Sequence, residues 1–91
     1  MLVLPQELTQ GQATACLRML VQGLRSQSDA QVVVDASALT RFDSAALAVL
    51  LEFRRETLAA GKNFAIRGLP ARLADLATLY GIIELLPSAQ Q

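Results

Sequence analysis

The sequence contains no histidine, no tryptophan and a single cysteine among its 91 residues. Without histidine, a catalytic triad of the Ser–His–Asp type is excluded. A zinc or transition-metal site has few ligands available for the same reason, and one cysteine cannot form an internal disulfide. We therefore expect a protein that is not an enzyme and that carries no metal and no cofactor.

The chain also lacks an excess of either charge, since eight Lys and Arg balance eight Asp and Glu. A neutral chain argues against nucleic acid as a partner and weakens direct binding to anionic lipid. No run of about 18 apolar residues is present, and the start Met1-Leu2-Val3-Leu4-Pro5 lacks the features of a signal peptide. We expect a cytoplasmic protein without a membrane-inserted segment.

The apolar content is high, at 53% with a mean hydropathy of +0.38. A chain of this length forms one small domain, which we place at residues 1–87, followed by a frayed tail at 88–91. Either its core is dense in Leu and Ala, or part of its apolar surface is reserved for a partner. The five glycines stand singly, so no phosphate-binding loop is present.

Strand and helix patterns alternate along the chain, which predicts an α/β fold with a mainly parallel sheet. Three consecutive valines at 32–34 indicate a central strand covered on both faces. The predicted strands are residues 2–4, 31–35 and 63–67, and the predicted helices are 11–25, 44–60 and a third that opens at Pro70 and stops at Gly81. Residues 36–42 are predicted to be a connection, and the apolar residues 82–86 form an edge strand or cover the core.

Helical spacing divides the second helix into two faces. We expect the sheet-facing side to comprise Leu47, Leu50, Leu51 and Leu58, flanked by Ala46 and Phe53. The opposite side presents the row Ser44, Ala48, Glu52 and Arg55, with Ala45, Glu56 and Ala59 beside it. Cys16 and Tyr80 are expected in the core.

Ser44 lies in the first turn of that helix, where backbone N–H groups are unpaired and negative charge is favoured. Its hydroxyl is placed to accept a phosphate or to contact a partner. In the alternative interpretation, Asp43-Ser44 is only an N-cap, worth roughly 1 kcal/mol. Asp35, at the end of the valine strand, has a similar alternative, in which its carboxylate ties down the following loop.

The segments Asp35-x-Ser37 and Phe42-Asp43-Ser44-Ala45-Ala46-Leu47, followed by a long helix ending at Gly61, resemble the STAS domain family. The resemblance covers residues 2–87. It implies a β-α superhelix with a central sheet of three to four strands packed with three helices. It also implies that Ser44, which follows the Asp of the family motif, is the regulatory hydroxyl.

Two branches of that family are compatible with these residues. One comprises antagonists of anti-sigma factors, in which a kinase phosphorylates the serine. The other comprises the small cytoplasmic subunit of a Gram-negative ABC transporter that moves phospholipid to keep the outer membrane asymmetric, and the segments 51–55 and 69–87 are similar to it. That branch implies an ATPase partner, in a complex with permease and lipid-binding subunits, on the cytoplasmic side of the inner membrane.

The contact surface implied by the resemblance combines the loop before the second helix with the exposed row of that helix. Its expected residues are Thr40, Arg41, Asp43, Ser44, Ala48, Glu52 and Arg55. The chain departs from the family at Ala46, where glycine is usual, and in a strand that normally precedes residues 2–4. We therefore expect an exposed sheet edge at which a second copy could pair.

Overall fold

The computed structural model describes residues 1–89. Its three helices are α1 (Gln10–Arg25), α2 (Ser44–Ala59) and α3 (Ala71–Leu79), and a short 3-10 turn follows at Ile83–Leu85. The strands are β1 (Leu2–Val3), β2 (Glu7–Leu8), β3 (Gln31–Asp35), β4 (Arg41–Phe42) and β5 (Asn63–Arg67). The predicted α/β fold with three helices and a parallel sheet is confirmed.

The main sheet has the order β1-β3-β5, and both of its strand pairs are parallel. Val34 of the central strand lies opposite Leu2 on one side and Ile66 on the other. Strand β1 forms an edge of this sheet, and no strand of residues 1–89 pairs with its outer side. Pairing of that edge with a second copy stays a prediction.

A second, two-stranded parallel sheet joins β2 to β4. The sequence predicted neither strand, because two residues show no periodicity and β4 falls in the predicted connection at 36–42. The carbonyl of Gln6 accepts hydrogen bonds from the backbone N–H groups of Thr40 (2.8 Å) and Arg41 (3.0 Å). This small sheet therefore fixes the segment that leads into α2.

The core lies between the main sheet and the buried sides of the three helices. Phe53 is fully buried and meets the Phe64 ring edge-on, with centroids 6.2 Å apart. Thr57 is the one buried polar residue within residues 1–89, and its hydroxyl donates to the carbonyl of Phe53 at 2.9 Å. Cys16 is buried, as predicted.

Two predictions of burial are wrong. Leu58 is 44% exposed, because the buried arc of α2 runs through Ala46, Leu50, Phe53 and Thr57 and leaves Leu58 outside it. Tyr80 is 55% exposed, because it ends α3 just before a glycine at φ +73° that turns the chain.

The C-terminal segment covers the core rather than forming a strand at 82–86, since Leu86 is buried after the 3-10 turn. Pairing with β5 begins later, where Ser88 bridges Ile66 and the N–H of Ala89 donates to the Ile66 carbonyl at 2.8 Å. The predicted frayed tail is thus held to β5 at its start, through the bonds that Pro87 and Ala89 form with Ile66, and residues 90 and 91 lie outside the described residues. None of the helices described is long and apolar enough to cross a membrane.

Candidate functional site

Asp43 joins the starts of the two long helices. As the N-cap of α2 it has an extended backbone, and its Oδ1 accepts from the N–H of Ala45 at 2.8 Å. Its Oδ2 accepts from the N–H of Gln10, the first residue of α1, at 3.2 Å. One carboxylate therefore stabilises two helix N-termini, where negative charge is favoured.

The start of α1 is capped both by its own residues and by Asp43. The sequence pattern of Thr9 and Gln12 is that of a capping box, and the Gln12 side chain accepts from the N–H of Thr9 at 2.9 Å. The Thr9 hydroxyl donates to the same oxygen at 2.6 Å, and the two residues form a capping box at the start of α1. Asp43 adds an acceptor for the N–H of Gln10, which the capping box does not bond.

Ser44 lies beside this junction as the first residue of α2. It is exposed, and its hydroxyl forms no hydrogen bond within residues 1–89. A shallow depression of about 350 Å³ lies over it, lined by Gln10, Asp43, Ser44, Ala45 and Ala48. The capping role belongs to Asp43, so the Ser44 hydroxyl is available to a partner or to a modifying enzyme.

Thr40 and Arg41 flank the same end of α2 and are both exposed. Their backbones are held by Gln6, and the Thr40 hydroxyl donates to the same carbonyl at 3.3 Å. The guanidinium of Arg72, from α3, lies 5.5 Å from the centre of the Phe42 ring, which is within the range of a cation–π interaction. Sequence reasoning missed Arg72, because only the folded chain brings α3 to β4.

The exposed row of α2 is present, and its two charged side chains pair with each other. Ala48 and Arg55 are exposed, and Glu52 is half-buried. Nη1 of Arg55 lies 3.0 Å from Oε1 of Glu52, one helical turn away. An exposed pair of this kind contributes about 0–1 kcal/mol to stability, and here the two charges of the row offset each other.

Helix α1 supplies a wall of the site that the sequence did not identify. Ala13, Thr14 and Leu17 line a depression of about 300 Å³ together with Ala48, Val49 and Glu52 of α2. A signal was present, since the apolar stripe of α1 has six positions, at 13, 16, 17, 20, 21 and 24. That is too wide an arc for one helix to bury completely, and residues 13, 17 and 21 are only half-buried.

Asp35 is used locally, as the alternative interpretation held. Its Oδ1 accepts from the Ser37 hydroxyl at 2.6 Å and from the Ser37 N–H at 2.9 Å. These bonds, the hydroxyl first, lower the pKa of the carboxyl below its usual value, and the charge of Arg67 lowers it further. The carboxylate therefore fixes the turn that follows β3.

Among residues 1–89, this surface holds no metal site and no reactive thiol. Within residues 1–89, no group of three or more His, Cys, Asp or Glu side chains is placed to hold a metal ion. Burial raises the pKa of the Cys16 thiol, which disfavours the reactive thiolate. What the arrangement offers is a low surface of small side chains around one free hydroxyl, suited to contact with another protein.

A family model described as "Mlab, STAS domain" matches residues 1–87. The fold is similar to that of an anti-sigma-factor antagonist (STAS) domain protein from Planctomyces limnophilus, with 16% identity and a TM-score of 0.78, covering 98% of this chain and 81% of that one. It is also similar to a Thermotoga maritima protein described as a candidate anti-sigma factor antagonist, with 14% identity and a TM-score of 0.79, covering 98% and 78%. At these identities the two structures show a shared fold alone. No curated protein matches the sequence.

Proposed function

The chain belongs to the MlaB-type STAS domain family, and from that membership we propose that it is a non-catalytic subunit of an ABC transporter that moves phospholipids. It binds the ATPase subunit and supports the assembly and activity of that subunit, in a complex that also contains a permease and a lipid-binding subunit. The complex maintains the lipid asymmetry of an outer membrane. The chain is held on the cytoplasmic side of the inner membrane through its partner.

One observation supports this choice of contact surface. The Ser44 hydroxyl is exposed, it forms no hydrogen bond within residues 1–89, and alanines surround it. Ala45 and Ala48 leave no large side chain to block a partner backbone. Small residues permit close approach, and a serine hydroxyl is easily satisfied by one hydrogen bond from the partner. Thr40 and Arg41 extend the contact on one side, and the Glu52–Arg55 pair extends it along α2.

The same geometry makes the contact sensitive to charge at Ser44. A phosphate would add about −1.5 to −2 charges, immediately beside the Asp43 carboxylate that already occupies the N–H groups of Ala45 and Gln10. A buried interface would have to desolvate that charge or pair it. We therefore expect Ser44→Glu and Ser44→Arg to weaken ATPase binding while the isolated domain stays folded.

The experiment measures the dissociation constant of the purified chain with the ATPase subunit of a phospholipid ABC transporter from the same organism. We expect a loss of at least about tenfold, or 1.4 kcal/mol, for both Ser44 variants. The matched control is Ser28→Arg, which places the same charge on an exposed serine in the loop after α1, at its far end from Ser44. Unchanged affinity for both Ser44 variants would contradict the site, and a wild-type chain that binds no ATPase would contradict the function. Adjacent genes for a kinase and a sigma factor would favour the antagonist branch instead.

A further inference from the structure

The outward side of α1 is basic and carries no acid. Its 16 residues include Arg18 and Arg25 but no Asp or Glu. The two arginines are seven residues apart, which places them on one side of the helix about 10 Å from each other. Both are exposed, and neither forms a salt bridge within residues 1–89.

An apolar hollow lies between the two arginines. Leu17 and Val21 form its floor, and Thr14 and Gln22 complete the wall of a depression of about 370 Å³. Both floor residues are half-buried, so they support the core from below while they remain accessible from above. Alternation of apolar floor and cationic rim is the surface expected for an amphipathic partner segment.

This hollow is continuous with the Ser44 site. Thr14 and Leu17 also line the depression shared with Ala48 and Glu52. At the far end, Val21 and Arg25 meet Glu56 and Ala59 around a third depression, of about 400 Å³. We call the whole the α1–α2 groove, formed by residues 13, 14, 17, 18, 21, 22 and 25 of α1 and residues 48, 49, 52, 56 and 59 of α2. It follows two parallel helices of 16 residues, so it is about 24 Å long.

Charge is distributed unevenly along this groove. Asp43 lies at its Ser44 end, and Arg18 and Arg25 lie in its middle and far parts. Glu52 is paired with Arg55. Glu56 also lines the groove, and it forms no ion pair within residues 1–89. Arg18 and Arg25, on the α1 side of the groove, therefore favour an acidic partner.

We propose that the α1–α2 groove binds an acidic amphipathic helix of the ATPase subunit, with its acids over Arg18 and Arg25 and its small or apolar side over Leu17, Val21 and Ala48. This inference rests on the proposed function and names the part of the partner that it recognises. A straight groove of this length fits a helix of about four turns, and acids spaced by seven residues on that helix match the spacing of the two arginines.

A membrane fits the same surface less well. Segments that bind anionic lipid typically present four to eight cations, whereas this rim presents two arginines around a concave hollow. The whole chain is neutral. A shallow and sparsely charged depression suits a protein segment better than a membrane, so anionic lipid becomes an outcome of the test.

The test measures ATPase binding by Arg18→Glu and Arg25→Glu at low and high salt. We expect about a fivefold loss of affinity for each variant at about 50 mM salt, shrinking to less than about twofold at about 500 mM, because exposed charge contacts are modest and screened. Arg67→Glu is the matched control, since that arginine is exposed at the end of β5, outside the groove. A photo-crosslinker in place of Gln22 then identifies the bound segment, which we expect to be a helix of the ATPase with acids seven residues apart.

The outcomes separate the inference from the proposed function. If the wild type binds the ATPase, Ser44→Arg weakens binding and both arginine variants bind as the control does, the groove proposal is wrong and the function stands. Crosslinks to a basic or non-helical segment would also overturn it. So would binding to vesicles containing about 30% phosphatidylglycerol that Arg18→Glu and Arg25→Glu abolish, since the surface would then take lipid.

Discussion

Replacing Asp43 by alanine removes one carboxylate that serves two helices at once. The N–H of Ala45 loses its partner at 2.8 Å, and the N–H of Gln10 loses its partner at 3.2 Å. Both donors are near the surface, so water replaces part of each bond. The substitution therefore removes the cap of α2 and the hydrogen bond that links the starts of α1 and α2.

The size of the effect follows from the two bonds. Loss of an N-cap acceptor costs about 1 kcal/mol, and the longer, exposed bond to Gln10 adds about 0.5–1 kcal/mol. We expect Asp43→Ala to lower the free energy of unfolding by about 1.5–2 kcal/mol. For a domain of this size that corresponds to a fall in Tm of roughly 6–15 °C. Asp43→Asn keeps one acceptor oxygen for Ala45, so it should cost only about 0.5–1 kcal/mol.

Urea denaturation followed by far-UV circular dichroism provides the assay. Asp75→Ala is the control, because this exposed aspartate lies inside α3 and caps no helix. It should be neutral or slightly stabilising, since alanine is the better helix former. An Asp43→Ala protein within about 0.3 kcal/mol of the wild type would refute the double cap. An Asp43→Asn protein as stable as the wild type would refute the separate contribution of the Gln10 bond, and equal costs for the alanine and asparagine variants would refute that of the Ala45 bond.

Gly68→Ala should destabilise the domain by at least about 1 kcal/mol more than Gly61→Ala. Both glycines have positive φ, but only at Gly68 would the new Cβ lie 2.8 Å from the Ser37 Cβ. Equal losses of stability in thermal unfolding would contradict this packing. The pKa of the Asp35 carboxyl should lie below its ordinary value, so the stabilising effect of the carboxylate is complete above that ordinary value and is lost as pH falls through the lowered pKa. Ser37→Ala should move this pKa back up in an NMR titration, and no movement would contradict the hydrogen bond as its main cause. The buried Cys16 should react with a thiol reagent only as fast as the protein opens; rapid reaction of the folded protein at pH 8 would contradict its burial.

The long helices and strands were predictable from the sequence because many residues contribute to the hydrophobic pattern of each one. The α2 helix was placed at 44–60 and is observed at Ser44–Ala59, and the valine strand was placed at its observed bounds, Gln31–Asp35. Strands β2 and β4 were missed, because a two-residue strand exists only through its partner and leaves no pattern of its own.

Burial at the edge of a periodic pattern was less predictable. Leu58 was assigned to the core by spacing, but the hydroxyl of Thr57 bonds to the Phe53 carbonyl, and Thr57 takes the inward position instead. Tyr80 was assigned to the core by its type. The turn that follows it carries the ring to the surface.

The candidate site was predictable only in its local part. The Asp43-Ser44 pair stood out because a cap and a free hydroxyl are neighbours in sequence. The bond from Gln10 to Asp43 and the α1 wall of the site join residues more than thirty positions apart along the chain. Such contacts depend on how the helices pack, and one sequence does not encode them in any short pattern.

The central claim is that the Ser44 end of α2 is covered by the ATPase. Amide hydrogen exchange of the chain, free and bound to that subunit, tests it most directly. We expect slower exchange at residues 44–48 at the start of α2 and at residues 13–18 of α1, with little change at β1 or at the end of α3. Protection confined to β1 or to the residues around Tyr80, with residues 44–48 unchanged, would contradict the claim.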